Sequence, residues 1–281
     1  MNNKREKFFF SIIICCYNSE KYIAETLDSI INQSYKNWEI VIIDDGSKDL
    51  TKSIIYKYIK KKIPINYFYQ NNKGFASARN IAIEKSKYEW IVIIDHDDVC
   101  ETNRLSLQLN NIKDFPNCIL FFGDALYFDK KLSFSRFKNT KNKEKFNPAK
   151  LNLNKGKCFK NLIYYGCFIT SSTVTFKKDI INKVGGFDNN LYFVSDYDFF
   201  LRLSQEYNFF CSEKIISKWR IHQNQLSNKN IHLYYIELNY ILKKYINHKE
   251  IGILLKINML IKYLKNCYRI LLINLFSNVK E

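Results

Sequence analysis

Glycine and proline are scarce, at 8 and 3 of 281 residues, so neither a collagen-like repeat nor a linker-like stretch is present. Histidine is as rare, at 4, which does not support a zinc cluster. None of the 8 cysteines stands in C-x-x-C spacing, which removes the common redox and zinc signatures. The apolar run over residues 8–16 is short and lacks a small-residue cleavage site. A secretory signal is therefore not expected, and the thiols are expected to stay reduced in the cytoplasm. Acid is the last shortage: 27 Asp and Glu face 44 Lys and Arg, for a formal charge of +17.

That positive charge is concentrated. Residues 130–160 hold eleven Lys or Arg against one acid, Glu144, and residues 241–281 hold eight against two. Nucleic acid attracts such patches, but no recognition module is legible and no aromatic residues interleave as a stacking platform requires. Nucleic acid is not an expected partner; anionic lipid or a phosphate-bearing acceptor suits the second patch better. Apolar residues make up 47%, with 22 Phe and 20 Tyr, enough for a substantial core.

Strand and helix signals alternate through the first half. Strands are read at 8–16, 39–43, 66–70 and 90–94, and helices at 20–32, 49–60, 76–85 and 101–111. This βαβ rhythm predicts an α/β fold, with a mostly parallel sheet flanked by helices. Beyond it, 118–128 is extended and 132–137 reads as a hairpin partner. A basic loop spans 138–157, and 168–176 is apolar and β-branched. A short helix at 177–183 is stopped by Gly185-Gly186; then come a helix over 197–206, a strand over 215–221 and helical periodicity from about 231.

Two of the few acidic clusters close apolar runs. Asp44-Asp45 comes after residues 40–43, and Asp95-His96-Asp97-Asp98 after 91–94. In an α/β sheet the carboxyl ends of strands meet at one crevice, where ligands bind. Alternate carboxylates on an extended chain face the same way, so Asp95 and Asp97 can share a divalent ion, Mg²⁺ or Mn²⁺, that bridges phosphate oxygens. Asp98 could instead cap the next helix. Asp45 suits hydrogen bonds from a base or ribose, or equally a turn and cap. Tyr17, at the first strand's end, suits stacking on a base or plain packing. Arg79 has the donor fork that grips phosphate.

With these residues assembled, the chain resembles the family 2 bacterial glycosyltransferases of GT-A fold that build lipopolysaccharide or capsular glycans. The matching stretches are 11–18, 29–35, 42–51, 73–80, 95–98, 184–188, 195–203 and 219–222, together spanning about three quarters of the sequence. The resemblance implies an inverting, metal-dependent transfer of one hexose or N-acetylhexosamine from a UDP-sugar to a glycan hydroxyl, the acceptor being lipid-linked. It assigns the uracil contact to Asp45, the stacked ring to Tyr17, a basic contact near the nucleotide to Arg79 and the D-x-D pair to Asp95 and Asp97. Asp196 becomes the general base, and Arg220 and His222 a loop over the diphosphate. Members commonly place Glu before that base; here it is Ser195, which puts a second carboxylate facing the acceptor in doubt. No Q-x-x-R-W signature appears, which favours addition of a single sugar. The alternatives are a metal-dependent nucleotidyltransferase, which needs positive charge where Tyr17-Asn18-Ser19-Glu20 stands, and a non-catalytic sugar-nucleotide binder, which needs no base.

The expected organisation is a nucleotide-sugar half over 1–125, an acceptor-binding and catalytic half over 126–228, and a helical extension over 229–281. Within 252–276, Asn258, Lys262, Lys265 and Arg269 step by four, three and four, which puts them on one face with leucine and isoleucine around it. Three cations near the centre disfavour a transmembrane span. The pattern predicts either an interfacial helix, its basic face on an anionic membrane, or a helix docked on the protein or on a second copy of the chain. The first reading places the protein peripherally on the inner face of the cytoplasmic membrane.

Overall fold

The computed structural model describes residues 8–129, 131–138, 147–223, 225 and 230–277. Its first half is β1 (Phe10–Cys16), α1 (Ile23–Ile31), β2 (Trp38–Asp44), α2 (Thr51–Lys60), β3 (Ile65–Tyr69), α3 (Phe75–Lys85) and β4 (Trp90–Ile93). Then come β5 (Val99–Cys100), α4 (Arg104–Asp114), β6 (Cys118–Phe128), β7 (Ser133–Ser135), α5 (Lys157–Tyr165) and β8 (Thr175–Lys177). The chain continues through α6 (Ile181–Val184), α7 (Ser195–Glu206), β9 (Asn208–Arg220), α8 (Ile231–Tyr245) and α9 (Ile253–Ser277).

One mixed sheet runs in the order β3-β2-β1-β4-β8-β6-β9-β5, with β7 beside β6. The expected parallel pairing holds from β3 to β4. After β4 the sheet turns mixed: β8 lies antiparallel to both β4 and β6, whereas β6 and β9 run parallel. Residues of β1 and β2 alternate between two cores. Ile12, Ile14, Ile40 and Ile42 pack under Leu27, Ile30 and Leu105. On the other face Ile13, Val41 and Ile43 join Ala78, Phe199, Ile241 and Met259. Burial on both faces explains the unbroken isoleucine runs, each fully buried side chain contributing about 1.5–3 kcal/mol.

Four elements differ from the sequence reading. The first helix starts at Ile23 rather than at 20, because Ser19 N–H donates to Thr51 Oγ1 (2.7 Å) and Glu20 N–H to Asp49 Oδ2 (3.0 Å), which ties that stretch to the start of α2. The stretch 168–176 is not one strand: Ser171–Thr173 form a 3₁₀ turn and only Thr175–Lys177 pair. The strand read at 215–221 starts at Asn208. Lys157–Tyr165, which follows the expected basic loop and carries no expected element, forms α5 and buries Phe159, Leu162 and Ile163. Residues 139–146 of the basic loop lie outside the described residues.

The C-terminal pair is part of the body, since Ile241, Leu242, Tyr245, Ile251 and Met259 belong to one core. Part of the polar face of α9 turns inward, while Lys265 and Arg269 stay exposed. Lys262 Nζ donates to Ile163 O (2.8 Å) and to Tyr164 O, and Asn266 Nδ2 to Asn239 Oδ1 (3.0 Å). Arg269 lies 5.2 Å from the ring of Tyr235. The apolar stripe Leu254, Ile257, Ile261, Leu264, Tyr268 and Leu271, stepping by three and four, faces out. Of the two readings of this helix, the one with its basic face outward does not hold for Lys262: the carbonyls at the end of α5 need a donor, and Lys262 supplies it. Among the described residues no helix is long and apolar enough to cross a membrane.

Candidate active site

The carboxyl ends of β1, β2 and β4 converge where the strand order reverses. Tyr17 lies just after β1 and is half-exposed. Its neighbour Asn18 adopts a left-handed conformation (φ 50°) and is laced to the next loop, with Lys48 N–H donating to Asn18 Oδ1 at 2.9 Å. Asp45, after β2, is buried and accepts three bonds: from Gln70 Nε2 (2.6 Å), Lys73 N–H (2.8 Å) and Gly74 N–H (2.8 Å). Gly46 (φ 88°) permits this clasp, since a Cβ there would sit 2.9 Å from Asn72 N. Contact between Asp45 and a base would have to share or exchange these bonds.

At the end of β4, Asp95 Oδ1 accepts from Arg79 Nη2 at 2.9 Å, and Asp95 N–H donates to Ser172 Oγ at 3.0 Å. Asp97 Oδ2 lies 2.8 Å from His222 Nε2. Burial would raise the Asp97 carboxyl, but His96 and His222 outweigh it and hold the group below the usual carboxylate range. Asp98 behaves oppositely: burial, then the charges of Asp97 and Asp95, push it well above that range. Thr26 Oγ1 in α1 anchors the loop from below, donating to Asp98 O (2.8 Å) and His96 O (3.0 Å) as alternative acceptors. Gln33 holds the segment between β5 and α4, with Nε2 on Glu101 O (2.8 Å) and Oε1 accepting from Leu105 N–H (3.1 Å).

Arg220 is built into the same loop. Its Nε donates to Asp97 O (2.9 Å), its Nη2 to Glu25 Oε2 (2.6 Å), and its amide to Asp98 Oδ1 (2.9 Å). The guanidinium sits between the rings of Tyr22 and Phe128, at 4.8 and 4.7 Å. These contacts make it a strut under the D-x-D segment.

Asp196 stands in the first turn of α7, with Oδ2 accepting from Ser171 Oγ (2.8 Å) and Oδ1 from Tyr197 N–H (2.7 Å). Asp198, by contrast, is fully buried between Arg202 (2.7 Å) and Lys244 (2.6 Å), a structural triad. The loop entering α7 is held by Glu237 of α8, whose carboxylate accepts from the amides of Tyr192 (2.8 Å), Phe193 (2.8 Å) and Val194 (3.1 Å). Arg79 links the two acidic centres electrostatically. Burial would lower its pKa, but Asp95 and Asp196 outweigh that and hold the cation above its ordinary value. Its guanidinium lies 5.4 Å from the ring of Phe187, whose backbone is gripped by Asn80 through two bonds of 2.8 Å.

A cavity of about 750 Å³ joins these groups, lined by Tyr17, Arg79, Asp95, Asp97 and Asp196 among others. Asp45, Arg220 and His222 stand outside its lining and touch the loops that form it. Among the described residues no three His, Cys, Asp or Glu side chains converge into a protein-only metal cage. Mg²⁺ and Mn²⁺ sites that serve nucleotides do not need one, since substrate phosphates and water complete the shell. Asp97 with His222, 2.8 Å apart, fits such a two-ligand pattern, while Asp95 is engaged by Arg79. The sequence reading missed Ser171 and Glu237. The hydroxyl run 170–173 within an apolar stretch was a signal for the first; Glu237, the only acid between 231 and 249, was one for the second.

The sequence profile of Glycosyl transferase family 2 matches residues 11–182. The chain belongs to this family. A family relative, an uncharacterized glycosyltransferase of Rickettsia typhi, is 33% identical over 220 residues, covering 78% of this chain and 65% of that protein. Glycosyltransferase GlyG of Streptococcus pneumoniae is 32% identical over 105 residues, 37% of this chain and 35% of that one. The chain thus spans under two thirds of the length of the curated relatives it matches. Among solved structures, Staphylococcus aureus TarS in complex with UDP-GlcNAc superposes with a TM-score of 0.69 at 21% identity, over 93% of this chain and 73% of that one. A mannosyltransferase of Pyrobaculum calidifontis, solved with GDP-Man and Mn²⁺, gives 0.62 at 16% identity over 95% and 73%. The shared fold is GT-A-like: a mixed central sheet flanked by helices, with a C-terminal helical region.

Proposed function

We propose that this family 2 member transfers a single hexose or N-acetylhexosamine from a UDP-sugar to a hydroxyl of a glycan acceptor, with inversion at the anomeric carbon. The observation that carries this is the convergence of Asp95, Asp97, Arg79 and Asp196 on one cavity. Two metal-suited carboxylates, a buried cation and a separate carboxylate are the parts that a single displacement needs. Asp196 takes the acceptor proton: Ser171 and its own helix amide fix its orientation, and the remaining lone pairs serve the incoming hydroxyl. Tyr17 and Tyr192, both exposed on the lining, supply aromatic surface for the nucleotide. Arg79, paired with Asp95 at 2.9 Å, offers charge to the diphosphate. When bound, Mg²⁺ or Mn²⁺ held by Asp97 with either His222 or Asp95 would neutralise charge on the departing diphosphate.

On the same reading the enzyme sits on the inner face of a membrane, attached through the outward apolar stripe of α9. Nine exposed large apolar residues on one helix are an interfacial pattern, and lipid-linked glycans are found at such a surface. The test of the activity is calorimetric titration with UDP, with and without Mn²⁺, and then a hydrolysis panel of nucleotide sugars. Metal-dependent UDP binding with turnover of at least one UDP-sugar is expected. A tenfold preference for another nucleoside diphosphate would overturn the uridine assignment.

A further inference from the structure

The cavity continues past Asp196 into a region that the donor chemistry does not use. There α5 and α8 contribute Ile163, Leu238, Leu242 and Tyr234, and three cations line the same cavity: Arg136, and Lys262 and Arg269 of α9. Arg136 and Lys262 both donate to the segment that ends α5. Arg136 Nη2 reaches Cys167 O at 2.8 Å, and Lys262 Nζ reaches Ile163 O at 2.8 Å. Arg269, two turns beyond Lys262, is exposed at the rim and leans on Tyr235. Among the described residues no carboxylate pairs with any of the three. Capping the end of α5 explains one cation at that position, and Lys262 fills it. It does not explain Arg269, or why three cations without a carboxylate partner among the described residues face one partly apolar space; Arg136 Nη1 also donates to Thr170 Oγ1.

Resting on the proposed transfer, we infer that this wall binds an anionic phosphoryl group of the acceptor, carried next to an apolar chain or sugar. Like charges gathered without a carboxylate among the described residues repel one another, and a phosphate with three acceptor oxygens relieves that repulsion. Desolvation holds the Lys262 ammonium down to about pKa 8, the state of a lysine that lacks an anion partner. Tyr234 lies within electrostatic reach of both Arg136 and Asp196, so the phosphoryl wall and the base are neighbours. An acceptor held there by its phosphate would present a hydroxyl to Asp196.

Calorimetry with decyl phosphate, inorganic phosphate and decyl maltoside tests the inference on the intact chain. Decyl phosphate should bind at least tenfold more tightly than decyl maltoside, and Arg269→Gln and Lys262→Gln should each weaken it at least fivefold. Their UDP affinity with Mn²⁺ should stay unchanged. Inorganic phosphate binding as well as decyl phosphate would identify a sugar phosphate as the source; a clear advantage for the decyl chain would identify a lipid phosphate. Equal binding of decyl phosphate and decyl maltoside, or no effect of Arg269→Gln, would overturn the inference. So would a parallel loss of UDP affinity in both variants, since the cations would then serve the donor. Failure of the wild-type chain to bind UDP would strike the proposed activity and leave the anion measurement standing.

Discussion

Asp97 and His222, 125 residues apart in sequence, meet at 2.8 Å between Asp97 Oδ2 and His222 Nε2. The first ends the parallel half of the sheet and the second lies just after β9, so their contact closes the two halves over one point. A carboxylate beside an imidazole nitrogen suits Mn²⁺, with phosphate oxygens and water completing the shell. Arg220 braces this pair through the Asp97 carbonyl and the Asp98 carboxyl, and thereby keeps both positions fixed when a ligand is absent.

Replacing either partner should therefore act on metal-assisted binding. His222→Ala and Asp97→Asn are each expected to weaken Mn²⁺-dependent UDP binding by about 10–100-fold, while binding measured in chelator changes little. Calorimetry in Mn²⁺ and in chelator separates the two. Equal losses in both buffers would mean that the pair is only a structural contact.

Asp196→Asn preserves shape and much of the hydrogen bonding but removes the proton acceptor. Turnover should fall by about 10²–10⁴-fold with UDP affinity nearly constant. Ser171→Ala, which frees the carboxylate to rotate, should cost about tenfold in turnover. A loss of UDP binding in Asp196→Asn without a selective turnover defect would make it a helix-cap residue.

Glu237 acts on Asp196, the proposed base, without lining the cavity. Its three amide bonds hold residues 192–194, which lead directly into Asp196. Glu237→Gln replaces a charged double acceptor by one oxygen, so stability should drop by about 1–3 kcal/mol in denaturant unfolding. Turnover should fall while UDP affinity holds. An unchanged unfolding midpoint would rule out the clasp.

Lys262 makes a pH-dependent contribution whose sign can be worked out. Burial lowers its folded value from 10.5 to about 8. Below about pH 8 both states are protonated and the folded one carries the desolvation cost. Between about 8 and 10.5 the unfolded chain binds the extra proton, so stability relative to Lys262→Met should rise with pH through that window. Denaturant midpoints of the two proteins below and within the window test this. A constant difference would show that Lys262 is solvated.

The proposed attachment to membrane should depend on apolar contact as well as on charge, because Lys262 faces the body while Lys265 and Arg269 stay exposed. Leu264→Glu with Leu271→Glu should abolish sedimentation with vesicles containing anionic lipid, and high salt should release only part of the wild-type protein. Removing the whole helix is a poorer experiment, since Met259 belongs to the core. Full retention of the double variant on vesicles would reject the stripe as the attachment face.

Local pattern determined much of this protein. The isoleucine runs before Asp44 and Asp95 could form little but strands buried on both faces, and a parallel sheet puts their carboxyl ends at one crevice. The motifs at 73–80 and 184–188 were legible as separate stretches; that Asn80 clasps the Phe187 backbone, with Gly186 lacking the Cβ that would collide, is a long-range fact. Tertiary structure alone decided which acids do what. Asp196 and Asp198 are two residues apart and chemically identical, yet one meets a hydroxyl at the cavity and the other is locked between Arg202 and Lys244. It also decided which way α9 faces. Periodicity reveals that a helix has a polar and an apolar side; only the partners already in place, here the bare carbonyls ending α5, determine which side turns inward.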